Sequence, residues 1–274
     1  MKKLLFFDID GTLWDNRSRI PKSTVNAIRR ARANGHLAFI NSGRSRGYIR
    51  APHLFDIGFD GIVSGDGTMI ELPGPGESVC HPRISRNRVC SYYEIPPEET
   101  REIISLLKRH RFCSILEGRD HLYIDKEDFG DDAYIRHIEE DMGADLLPMT
   151  GGELPVITKF SCDLRHAVDI DEGLRKIGER FDAIRHTDMV IEFVPKGFTK
   201  ATGIEDVCRL LGASPEDTVA FGDGANDVPM LEYAGVGVAM GDGNPLSHPA
   251  ADYVTAGLWE DGIEKALRHL SLIS

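Results

Sequence analysis

The sequence predicts an α/β core on a parallel sheet, interrupted by an inserted α+β domain, and three observations predict it. A short apolar run, Phe6 to Ile9, ends in two aspartates and a glycine. Strand and helix patterns alternate at both ends of the chain but change character in the middle. The stretch Leu72 to Gly76 (LPGPG) is the turn-rich segment at which that change begins.

The first alternation reads as a strand over 4–9, a helix over 23–34 stopped by Gly35, and a strand over 36–41. A right-handed crossover sets such strands side by side. Near the C-terminus the pattern returns: a helix over 200–211 with Gly212 as its stop, a strand over 218–222, a helix over 227–234 and a strand over 235–240. These ends form one expected domain, residues 1–82 and 188–274. The insert, 83–187, reads as a strand over 88–95, a helix over 97–111, strands over 113–117 and 121–125, and a helix over 128–142. A strand over 156–164, a helix over 167–178 and a hairpin through 181–194 complete it as an α+β sandwich with one open sheet.

At 274 residues and 41% hydrophobic content the chain can bury a sizeable core. Its formal charge of −12 argues against nucleic acid or an anionic membrane as partner, and an anionic substrate requires local cations. The start MKKLLFF is too short in apolar residues for a secretory signal, and no stretch reaches transmembrane length. The five cysteines, Cys80, Cys90, Cys113, Cys162 and Cys208, contain no CxxC pair, so neither a disulfide framework nor a zinc site is expected and the cytoplasm is the expected compartment. The acidic run 125–132 fails as a calcium loop, because Phe129 and Arg136 fall where oxygen ligands are needed.

The chemistry is expected at strand ends. Asp8 and Asp10 sit at the C-terminal tip of the first strand, where open parallel sheets hold ligands; side chains two apart on a strand point the same way. Ser42, in the sequence INSGR, follows the second strand with Gly43 and Arg44, and offers a hydroxyl and backbone amides to a phosphate. Lys200 opens a helix, where a compact cation and free N–H groups meet an anion. In GDGANDVPML, Asp223 and Asp227 bracket a glycine turn with Asn226 between them, an oxygen-rich set suited to Mg²⁺.

These segments together, DIDGT at 8–12, SGR at 42–44, the lysine of GFTKATGI and GDGANDVPML, resemble the motifs of the haloacid dehalogenase-like phosphatases. Their order, with a large insert after the second motif, resembles the Cof-type branch with a C2 cap. The resemblance implies a Rossmann-like three-layer core with an α+β C2-type cap, and an Mg²⁺-dependent phosphohydrolase working through a phosphoaspartate. It implies Asp8 as nucleophile and Asp10 as acid and base, with Asp8, Asp10, Asp223 and Asp227 about the metal. It also implies Ser42, Gly43, Arg44, Lys200 and Asn226 about the phosphoryl group. A small phosphorylated metabolite, first of all a sugar phosphate, is the implied partner. A phosphomannomutase-like phosphotransferase and a non-catalytic binding protein on the same fold are the alternative readings. One departure stands out: where relatives often carry Asn-Gly after the third strand, this chain has Asp66-Gly67; the resemblance allows an extra acidic group near the site that alters substrate preference, and a hairpin turn is the expected reading.

Overall fold

The structure, a computed structural model, describes residues 2–74, 76–79 and 87–274. Cys80 and the expected domain boundary at 83 lie outside the described residues. The chain forms two compact units, one of residues 1–43, 51–92 and 198–274, the other of residues 44–50 and 93–197.

The first unit starts with β1 (Leu4–Phe7), α1 (Lys22–Ala33) and β2 (Leu37–Asn41), followed by the short α2 (Pro52–Phe55), β3 (Gly61–Ser64), β4 (Met69–Leu72) and β5 (Arg88–Tyr92). The second contains α3 (Pro97–His110), β6 (Cys113–Glu117), β7 (Leu122–Ile124), α4 (Ala133–Met142), β8 (Leu146–Pro148), β9 (Lys159–Asp163), α5 (Ile170–Ile177), β10 (Phe181–Arg185) and β11 (Val190–Pro195). The first then resumes with α6 (Lys200–Leu211), β12 (Thr218–Gly222), α7 (Val228–Tyr233), β13 (Val236–Ala239), β14 (Tyr253–Val254) and α8 (Gly262–His269).

The sheet of the first unit runs β14-β13-β12-β1-β2-β3-β4-β5. Its strands are parallel from β14 to β3, and β4 and β5 add on antiparallel. Strand β1 is apolar throughout because it is central and covered on both faces. Phe6 stacks on Phe39, and Phe7 stacks on its register partner Phe221, so the aromatic rings tie β1 to both neighbours. On one face Leu4 and Phe6 pack with Ile204 and Val207 of α6 and Met230 and Leu231 of α7. Helix α1 buries Thr24, Ala27, Ile28 and Ala31, spaced as one helical stripe, and Arg30 joins it to Glu264 of α8. The result is a three-layer α/β unit. Sheet order reverses direction at β1, with β2 reached on one side and β12 on the other, and ligands bind at such switch points.

The sheet of the second unit runs β10-β11-β9-β6-β7-β8, antiparallel except for the β7–β8 pair. Strand alternation sends Leu116, Phe160 and Phe193 to a core shared with Ile103 and Leu107 of α3 and Ile177 of α5. It sends Ile115, Leu122 and Ile124 to the other face, against Ile135, Ile138 and Met142 of α4.

Several expectations are corrected. The sequence places strand β5 in the insert, but it pairs with β4 and extends the first sheet, so the chain changes unit between Tyr92 and Tyr93. The return boundary expected at 187 cuts the β10–β11 hairpin; hydrogen bonding keeps that hairpin whole, and the change falls after Gly197. The helix expected over 128–142 begins at Ala133, because Asp132 accepts the amides of Tyr134 and Ile135 as its N-cap. Strands β4, β8 and β14 and helices α2 and α8 have no counterpart in the pattern read from the sequence. No helix of the described residues is long and apolar enough to cross a membrane.

Candidate active site

Three adjacent strands of the first sheet, β12, β1 and β2, deliver the fourth, first and second motifs from their C-terminal ends. Asp8 directly follows β1, and its amide donates to Phe221 O at 3.0 Å, which keeps the chain in sheet register up to the carboxylate. Gly11 then turns at φ +83°, where a Cβ would lie 2.2 Å from Asp223 Oδ2; only glycine lets the β1 loop pass this close to that carboxylate. Thr12 Oγ1 donates to Asp223 Oδ1 at 2.9 Å.

Lys200 enters from the first turn of α6, whose N-cap Thr199 forms a capping box with Thr202. Its ammonium is buried and donates to Asp8 Oδ1 at 2.7 Å and to Asp227 Oδ1 at 2.5 Å. Asn41 Nδ2 holds the Lys200 carbonyl at 3.0 Å. The other oxygen of Asp227, Oδ2, accepts the amides of Asp223 at 2.9 Å and Gly224 at 2.8 Å. The Asp227 carboxylate therefore ties the loop after β12 to Lys200.

One carboxylate oxygen each from Asp8, Asp223 and Asp227 lies within 4.8 Å of the others. Three carboxylates against one ammonium leave two excess negative charges if all are ionised, in a place with little water to disperse them. Burial pushes the Asp8 carboxyl well up; Lys200 opposes the rise, while Asp227, Asp223 and Asp10 add to it. Burial, with Asp227 beside it, pushes Asp223 up to about 7. Burial disfavours the charged form of Lys200, but Asp227 and Asp8 outweigh it and hold the lysine firmly protonated. An all-oxygen set carrying uncompensated negative charge fits a hard divalent cation, and these carboxylates can hold one.

The other expected site residues divide. Asp10 is exposed, and its Oδ1 accepts Trp14 Nε1 at 2.9 Å, so it stands at the rim of the triad and is not part of it. Ser42 is buried and its carbonyl accepts the amide of Asp66 at 3.1 Å. A Cβ on Gly43 would lie 3.2 Å from Asp66 Oδ2 and 3.4 Å from Asn226 Nδ2, so the second and fourth motifs meet there. Arg44 is in the second unit, its guanidinium 4.4 Å above the Tyr48 ring. The sequence reading does not name Trp14 or Asn41 as site residues. Asp66 was visible as a motif departure, whereas nothing in the spacing of Trp14 or Asn41 marks them.

A family model described as haloacid dehalogenase-like hydrolase matches residues 5–267. YkrA of Bacillus subtilis, named only provisionally as a phosphatase, is 30% identical over 279 residues, covering 99% of this chain and 98% of that protein. YitU of the same organism, a 5-amino-6-(5-phospho-D-ribitylamino)uracil phosphatase, is 28% identical, with coverage of 97% and 96%. A solved structure described as a subclass IIB sugar phosphatase of this superfamily superposes with a TM-score of 0.78 at 27% identity, covering 99% of this chain and 100% of its own. The motifs, the Rossmann-like three-layer core with its inserted cap domain, and these likenesses agree: the chain belongs to the haloacid dehalogenase-like hydrolase family, as a phosphatase of the Cof type.

Proposed function

We propose that this phosphatase is Mg²⁺-dependent, works through a phosphoaspartate at Asp8, and hydrolyses small phosphorylated metabolites in the cytoplasm, sugar phosphates foremost. The observation that carries the reading is the buried Asp8–Lys200–Asp227 arrangement beside Asp223. It combines a nucleophile, a fixed cation and excess carboxylate charge at one strand end, and phosphoryl transfer needs those parts more than elaborate covalent chemistry. The polyol part of the substrate is suggested by the relatives, one named for a phosphoribityl compound and one for sugar phosphates.

In this mechanism Asp8 attacks phosphorus, and Lys200, Ser42 and Asn226 hold the phosphoryl oxygens with the Gly43 backbone beside them. Asp8, Asp223 and Asp227 would hold Mg²⁺, with Asp10 joining through its backbone carbonyl. The ion, when bound, neutralises charge on the phosphoryl group and on the carboxylates around it. Asp10 protonates the leaving oxygen and then takes a proton from the attacking water, with Trp14 fixing its carboxylate in one orientation.

The test is a screen of phosphorylated metabolites for inorganic phosphate release without any added acceptor. Turnover is expected with Mg²⁺, lost on exhaustive EDTA treatment and restored by Mg²⁺. Full activity after chelation would defeat the metal assignment, and phosphate transfer only to an added sugar phosphate would favour a phosphomutase instead. Asp10→Asn is expected to slow poor leaving groups by about 10²–10⁴-fold and activated esters far less. Equal losses on both would remove Asp10 as the acid.

A further inference from the structure

Asp223, a proposed metal carboxylate, is held at three points, and one of them lies in a loop outside all four motifs. Two holds come from motif segments: the Asp223 amide donates to Asp227 Oδ2 at 2.9 Å, and Asp223 Oδ1 accepts Thr12 Oγ1 at 2.9 Å. The third comes from the loop after β13. There the Asn244 amide donates to Asp223 O at 2.7 Å, and a Cβ on Gly243 would lie 2.8 Å from that carbonyl oxygen and 2.9 Å from Asp223 Cα and Cβ. A residue without a side chain is what lets the loop lie so close to Asp223.

The loop supplies its own rigidity. Met240 prolongs the β12–β13 pairing by donating its amide to Gly222 O at 2.9 Å, and the Gly243 amide donates back to Met240 O at 3.1 Å. Asn244 then closes the turn with both of its oxygens. Its Oδ1 accepts the Leu246 amide at 2.9 Å, and its carbonyl accepts the amide of the buried Ser247 at 2.9 Å and the Ser247 hydroxyl at 2.8 Å. An asparagine bonded to the amide two residues on makes a turn of its own side chain. The Asn244 side chain thereby fixes the direction in which its own main-chain amide meets Asp223.

We propose that Asn244 is a positioning residue for the metal site: with Gly243, its turn holds the Asp223 main chain where the Asp223 carboxylate meets those of Asp8 and Asp227. The inference rests on the proposed Mg²⁺ reading of these three carboxylates. Its physical basis is that Mg²⁺ demands a strict shell, so a carboxylate whose backbone cannot drift binds it best. The hydrogen bonds behind such ligands set about 10–100-fold of metal affinity.

The test measures Mg²⁺ binding to the ion-free protein by calorimetry, and the Mg²⁺ dependence of monoester hydrolysis. It compares wild type with Asn244→Ala, Asn244→Ser, Gly243→Ala and the exposed control Asn26→Ala. Asn244 is itself exposed, so replacing it opens no void in the core. Asn244→Ala, without the bond to the Leu246 amide, is expected to bind Mg²⁺ about tenfold more weakly. Asn244→Ser, whose hydroxyl accepts the same amide without adding charge, recovers most of that loss, while Asn26→Ala stays at the wild-type value. Gly243→Ala presses a methyl group on Asp223 itself and loses at least as much as Asn244→Ala; should the latter not fold, it decides the matter on the same measurement. The fall in turnover of Asn244→Ala is expected at limiting Mg²⁺ and to vanish at saturating Mg²⁺, a pattern that general damage to the loop would not produce. Wild-type Mg²⁺ affinity in either folded alanine variant, a serine variant no better than alanine, or a loss that persists at saturating Mg²⁺ would overturn this proposal alone. A wild type that binds no Mg²⁺ would overturn the metal reading with it.

Discussion

Asp8→Asn is expected to abolish turnover, by at least about 10⁴-fold, because the amide cannot form the acyl phosphate and no other group replaces the covalent step. The loss is not expected to come from unfolding. Asp8 lies in a buried cluster that raises its pKa above the ordinary value, so in the ion-free protein its charge opposes folding at neutral pH. Removing that charge leaves Lys200 still paired with Asp227. The melting temperature of the ion-free variant should therefore equal or exceed that of wild type. Acid-quenched wild type should carry one phosphoryl group on the peptide containing Asp8. A phosphoryl group on any other residue, or a variant that keeps a tenth of the activity, would remove Asp8 as nucleophile.

Lys200→Met is expected to have the largest effect on stability. The ammonium is wholly buried and bridges two carboxylates, and removing one partner of a buried ion pair costs about 3–5 kcal/mol because the other charge stays desolvated. The penalty has a sign in pH. With the lysine gone, the buried carboxylates bind protons more readily in the folded than in the unfolded chain, so lowering the pH from neutral should narrow the gap to wild type. Mg²⁺ should narrow it as well if it binds the folded triad. Urea unfolding of both proteins, with and without Mg²⁺ and at several pH values, measures this. A loss below about 1 kcal/mol, the range of exposed pairs, would mean that the Lys200 ammonium contributes little to the fold.

The elements legible in the sequence were those whose local signals agree. Helix α6 is expected at its observed bounds because Gly212 stops its pattern, and the structure gives that glycine the left-handed φ of 64° and adds Thr199 as the N-cap. Strand β12 was legible as an apolar run ahead of a glycine turn. Strand β5 is not legible as part of the first sheet because its partner, β4, is set by pairing across a Pro/Gly-rich stretch, and pairing is invisible to local pattern. Strands β8 and β14 are too short to show a period at all, at three and two residues.

The same division holds for the site. By itself the sequence determined the family, the order of the motifs and the identity of Asp8, Lys200, Asp223 and Asp227, because charged residues placed beside glycine turns at the ends of apolar strands carry their own signal. Only the tertiary structure decided how those groups share their charges. Lys200 and Asp8 lie 192 positions apart in the chain, yet their atoms meet at 2.7 Å, and Asp227 divides its two oxygens between Lys200 and its own loop. Asp66 reads locally as a turn residue, and its burial against Gly43 follows from the placement of β3 beside β2. The physical reason is common to all three: hydrogen-bond partners and desolvation belong to contacts between distant segments, and no local sequence pattern records them.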